Sequence, residues 1–210
     1  TTERLLAEKG FTHHLADPHR TDARLPLFAG ERGPTRQLVV LPRTNRDDIN
    51  LLNEGGTDAV AMAQRLEDEL ALVEAQGALG ILSVHTQHFG ETNPLAAAVS
   101  LFLHDLAARR ETVWLASSGQ VTDWWKARDR VRVVTRDLGL RAEFDLSVAE
   151  GAPVEGVSVV LMLPRKSAMP TVRGAKTGMP PVEVRLIDPY RASVQFGALP
   201  AGNYSYQVTY

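Results

Sequence analysis

Residues 79–90 read LGILSVHTQHFG, an apolar run that stops at His85, with His88 three residues further on. A histidine delivered to a strand end has a structural use, as a cap that hydrogen-bonds a neighbouring loop. It also has a chemical use, because imidazole is the side chain whose unperturbed charge changes near neutral pH. Metal binding by His85 and His88, joined by His13 and His14, is a third reading. That reading lacks a further carboxylate or histidine at fixed spacing, and an i, i+3 pair does not put both rings on one side of a strand. Asp47 and Asp48 follow the other strong apolar strand, QLVVLPR at 37–43, and so sit at the same face as His85. His19 and His104 read as surface or helix-face residues.

Other residues carry weaker chemistry. Trp124 and Trp125 offer rings that stack on sugars, or one ring for the core and one for an adjoining domain. Tyr204, Tyr206 and Tyr210 fall in the last strand-like stretch, as a core edge or as an aromatic platform. The segment RKSAMPTVRGAKTGMPP (165–181) holds Arg165, Lys166, Arg173 and Lys176 and no acid. It reads as a solvated loop between strands, with a basic finger over an anionic polymer as the sharper alternative. No Gly-x-Ser-x-Gly elbow and no phosphate-binding glycine loop occurs.

The elements that must position these groups divide the chain. With 210 residues, 44% hydrophobic and 23% charged, the composition is that of a globular protein. A net charge of -2 gives no field for nucleic acid, and the apolar runs are too short to span a membrane. Cysteine is absent, which removes disulfides and thiolate chemistry. The first part alternates strands (11–17, 37–43, 79–86, 112–117) with helices. Helix 58–76 turns Met62, Leu66, Leu70 and Val73 to one face and ends at Gly77. Asn93-Pro94 starts a helix to about Arg110, with Leu95, Val99, Phe102 and Leu106 inward. Ser117 and Gln120 form a capping box for a third helix. The strand at 79–86, apolar on both faces, reads as a central parallel strand. After residue 131 only short strands with Gly and Pro turns remain, as in an antiparallel sandwich. The expected class is α/β, with a partial (β/α) barrel-like segment over 1–133 and a β-sandwich domain over 134–210. Catalytic residues of such barrels sit at the C-terminal strand ends, where His85 falls.

These pieces, in this order, resemble the C-terminal half of polysaccharide deacetylases, carbohydrate esterase family four. KGFTHHLAD looks like the strand after the family's middle motif, and LVVLPRTNRDD like the next strand with its acidic loop. ILSVH looks like the last motif, and ETVWLASSGQVTDWW like the closing strand and helix. The resemblance covers about residues 1–130. It implies hydrolysis of acetyl groups from a polysaccharide or oligosaccharide by one divalent metal, zinc above all, held by an Asp and two His. It implies that His85 is the general acid and that Asp47 or Asp48 holds its ring. His88, Trp124 and Trp125 then fall on the substrate side. An exported or periplasmic location is implied by the resemblance alone.

The sequence departs from the family at named places. Thr-Phe-Asp-Asp-Gly, His-x-x-x-His and Arg-Pro-Pro do not occur, Ser83 stands where the last motif has Leu, and no Trp follows Asp48. No metal ligand is therefore assigned in this chain. Thr1 with no leader pattern after it implies a removed upstream segment, and the expectation is an enzyme's back half, metal-free and inactive alone. The alternative is a non-catalytic module that grips glycan or serves a structural role.

Overall fold

The structure, a computed structural model, describes residues 2–16, 25–31, 34–43, 47–90, 93–139, 141–164 and 169–210. Asp17, His19, Arg165 and Lys166 lie outside the described residues. The chain forms two compact units, Thr1–Asp123 and Trp124–Tyr210. The division falls inside a helix rather than at residue 133.

In the first unit, α1 (Thr2–Glu8) precedes β1 (His13–Ala16), β2 (Leu27–Phe28) and β3 (Val39–Pro42). The β-branched Val39 and Val40 occupy the middle of a three-stranded sheet, with β3 parallel to β1 and antiparallel to β2. The sheet is not closed into a barrel. Then come α2 (Asp48–Gly55), α3 (Ala59–Gln76) and α4 (Pro94–Ala108). Each begins on a side-chain cap: Asp47 for α2, Asp58 for α3, Asn93 for α4. Gly77, at φ 58 and ψ 43, ends α3 in the left-handed conformation that suits glycine. Met62 and Leu66 of α3 meet Leu95, Val99, Phe102 and Leu106 of α4 in one core. Val73 is buried as well, and Leu70 packs against that core half-buried. Arg109 fastens the two helices, reaching Glu67 at 2.6 Å and Glu74 at 3.3 Å.

Two expected strands do not form. Residues 79–85 join no strand ladder and make one isolated bridge, Ser83 to Asp47, before a 3₁₀ turn begins at Thr86. Their apolar side chains answer to packing, Leu82 on the α3–α4 core, while Val84 is 38% exposed. The stretch TVWLAS (112–117) is not a strand either: Val113 packs on the same core, and Trp114 and Leu115 are exposed. The capping box does form, Ser117 N–H to Gln120 Oε1 at 2.8 Å and Gln120 N–H to Ser117 Oγ at 3.3 Å. It opens α5 (Ser118–Asp129).

The second unit holds β4 (Val131–Asp137), β5 (Arg141–Val148), β6 (Ser158–Met162), β7 (Thr171–Gly174), β8 (Val182–Asp188), β9 (Arg191–Phe196) and β10 (Gly202–Thr209). They make two open antiparallel sheets, β4-β5-β10-β7 and β6-β9-β8. Alternate residues of both sheets, Phe144, Leu146, Val194, Phe196, Tyr206 and Val208 among them, share one core. Phe144 stacks on Tyr206 with centroids 5.2 Å apart, and Phe196 meets Tyr206 edge-on. Tyr206 and its neighbours Tyr204 and Tyr210 are thus core and core edge. Strand β7 corrects the reading of 165–181 as a loop. Its Thr-Val-Arg run pairs on one side only, with β10, too short for alternation to reveal it.

Candidate active site

The site starts at the first turn of α2. Asp47 caps the helix: its Oδ1 accepts from Asn50 N–H at 2.9 Å, and Asn50 returns a bond to Asp47 N–H. Its other oxygen lies 3.5 Å from Arg43. The next residue, Asp48, faces inward and is fully buried. Asp48 N–H donates to Ser83 O at 3.2 Å, which draws the extended segment alongside the helix start. Two residues on, His85 N–H donates to Asp48 Oδ2, and His85 Nδ1 lies 2.8 Å from Asp48 Oδ1. A 3₁₀ turn, Thr86–His88, then brings His88 Nδ1 to 2.8 Å from Asp48 Oδ2. Three residues per turn is the pitch at which i and i+3 align. The two rings stand 5.9 Å apart at 69°.

A carboxylate only accepts hydrogen bonds, so Nδ1 carries the hydrogen in both rings. The Nε2 atoms are left for chemistry, and His85 is the more open of the two, with 47% of its side chain exposed against 25% for His88. Asp48 accepts from Ile49 N–H, His85 N–H, His85 Nδ1 and His88 Nδ1. Burial alone would raise its pKa. The bonds from the His85 ring, the His85 N–H and His88, with the attraction to His85, outweigh that and hold it at about 2.

The same three residues present ligand-type atoms within 4.8 Å of one another, a spacing that admits a cation. The donor set argues otherwise. Two lone pairs on each Asp48 oxygen match the four N–H groups it meets. A metal would have to displace these bonds and strip both Nδ1 hydrogens. The arrangement fits an oriented acid–base pair better than a metal centre.

Asp47 is the helix cap, so of the two adjacent acids Asp48 is the one on His85. His13 Nε2 lies 3.0 Å from Ser118 Oγ, and neither His13 nor His14 joins the Asp48 group. His104 is exposed on α4. In the second unit, Trp124 is 41% exposed, its ring 5.8 Å from that of Trp125, and Arg128 lies over Trp125 at 4.9 Å. The attachment of His88 to Asp48 is the feature sequence reasoning missed. The three-residue spacing after an extended run, taken as a 3₁₀ turn rather than a strand, was its signal. No family model and no curated protein matches this chain.

Proposed function

We propose that this chain is the C-terminal portion of a metal-dependent polysaccharide deacetylase, in which His85 is the general acid. The carrying observation is the buried Asp48 carboxylate, which binds both the backbone and the Nδ1 of His85 and leaves Nε2 on the open side. When an acetyl–nitrogen bond breaks, the departing amine needs a proton. A protonated His85 delivers it from Nε2, and the Asp48 charge stabilises the imidazolium beforehand and fixes its direction. His88 shares the carboxylate and stands beside the acid on the substrate side. In the family that the sequence resembles, a divalent metal, zinc above all, polarises the acetyl carbonyl and activates the water. The motifs that hold it there do not occur in this sequence.

The finer architecture belongs to the same reading. The first unit's strands are proposed as part of a deacetylase-like barrel, and the two sheets over one core as an accessory β-sandwich. The proposed substrate is a polysaccharide or oligosaccharide, and the proposed location is exported or periplasmic. No helix among the described residues is long and apolar enough to cross a membrane.

The test is acetate release from an N-acetylated chitooligosaccharide by the protein carrying the family's metal motifs. His85→Ala and Asp48→Asn should each lower turnover roughly 10²–10⁴-fold, the usual worth of a positioned acid. Metal content should stay unchanged. Wild-type turnover in His85→Ala would end this reading. The second reading, a non-catalytic glycan-binding module, draws on the absent metal motifs and predicts no acetate release by any natural form of the protein.

A further inference from the structure

The outer face of the four-stranded sheet, in the second unit, carries a second candidate site. A pocket of about 460 Å³ opens there, lined by Arg141 and Glu143 of β5, Gln207 and Thr209 of β10, and Thr171 and Arg173 of β7. Register places them side by side. Glu143 and Arg173 flank Gln207 on either side, and Arg141 and Thr171 flank Thr209. Paired residues of antiparallel strands point to the same face, so all six project outward, opposite the core-facing Phe144, Tyr206 and Val172. The volume is that of a small-molecule site rather than of a single ion.

The charges in this pocket are unevenly satisfied. Glu143 lies 3.6 Å from Arg136 and 3.4 Å from the Gln207 amide. Arg136 is also shared with Asp145 at 2.9 Å. The guanidinium groups of Arg141 and Arg173 have no hydrogen bond or ion pair among the described residues, their backbones alone being paired in the sheet. Strand spacing puts their Cα atoms about 12 Å apart, two strands over and two residues along. Each guanidinium offers a planar fork that suits a carboxylate. Between them, Glu143 accepts hydrogen bonds, Gln207 both donates and accepts, and exposed Leu138 adds an apolar edge.

This mixture is specific. Among the described residues the pocket is lined by no aromatic ring on which a nucleic-acid base could stack, and its hydrogen-bonding Glu143 and Gln207 suit hydroxyl groups, which a phosphodiester backbone does not offer. A sugar acid satisfies every group: its carboxylates face the arginines, its hydroxyls donate to Glu143 and bond Gln207, and its ring edge lies on Leu138. We propose that this pocket binds an oligosaccharide of uronic acids. The site belongs to the second unit alone, and it stands whether or not His85 is an acid.

Isothermal titration of the whole chain would use three uronate trisaccharides (galacturonate, glucuronate and mannuronate). Each would be matched by its carboxyl-reduced neutral counterpart, beside a single-stranded DNA oligonucleotide. At least one uronate should bind with one-to-one stoichiometry and lose affinity as salt rises. Its neutral counterpart, Arg141→Gln and Arg173→Gln should each bind roughly tenfold or more weakly, the scale of a lost charge-assisted bond. Failure of all three uronates to bind, equal affinity for the neutral sugar, or tighter binding of the oligonucleotide would each overturn the proposal. The acid-against-neutral comparison needs no variant, and it reads binding rather than acetate release, so it fails or succeeds apart from the role of His85.

Discussion

Asp48 sets the behaviour of its surroundings through one carboxylate held at about 2, below its ordinary 3.8. A depressed carboxylate stabilises the fold above its unfolded pKa, and that contribution is lost as pH falls through the folded value. The difference is worth about 2 kcal/mol at pH 5, and roughly half of it should be gone by pH 3. Urea midpoints of wild type and Asp48→Asn should therefore differ most at pH 5 and converge towards pH 3. A gap that stays constant across this range would show that folding leaves the carboxyl's pKa unchanged, and a gap that shrinks from pH 3 to pH 5 would show that the folded carboxyl is neutral. At this scale the sequence was half legible. His85 at the end of an apolar run and an acid after the preceding strand both pointed to one face. Which of Asp47 and Asp48 held the ring was not written in composition or spacing. That depends on the helix starting at Asp48, which makes Asp47 the cap and turns the next side chain inward.

At the scale of elements, α2 is the device that aims the carboxylate. Its capping box involves Asp47 and Asn50, not the histidines. Asp47→Ala should lower stability by about 1 kcal/mol, as cap losses do. It should leave the Nδ1–H signals of His85 and His88 in a nitrogen-15 NMR spectrum where they are. If those signals shift as they do in Asp48→Asn, Asp47 is more than a cap. The helices α3 and α4 were readable because a 3.6-residue period reports which face is buried, and Leu66, Val99 and Phe102 are indeed inside. The stretches at 79–86 and 112–117 were misread because apolar content reports burial and not hydrogen bonding. Leu82 and Val113 pack on the helices, yet neither stretch finds a ladder partner among the described residues. Strand β7 was missed for the opposite reason: its ladder is real, but Thr171, Arg173 and Gly174 are exposed.

At the scale of the molecule, two cores are built from separate residues. Phe144 is 1% exposed and touches Tyr206 and Phe196, so Phe144→Ala should cost the second unit about 3–5 kcal/mol. Calorimetry should show that loss in one unfolding transition, with the histidine signals of the first unit unmoved. A matching loss in both units would mean that they unfold as one. The topology of the second unit also bears on synthesis. Strand β10 lies between β5 and β7, although some fifty residues separate it from β5 in the chain. The four-stranded sheet has no centre until Thr209 has cleared the ribosome tunnel. A nascent chain stalled before Gly202 would carry β5 with a bare inner edge and β7 with no partner at all. Such an edge is what chaperones shield and what seeds aggregation. Translation pauses within the last strands would therefore be more harmful to yield than pauses of equal length over α3 or α4.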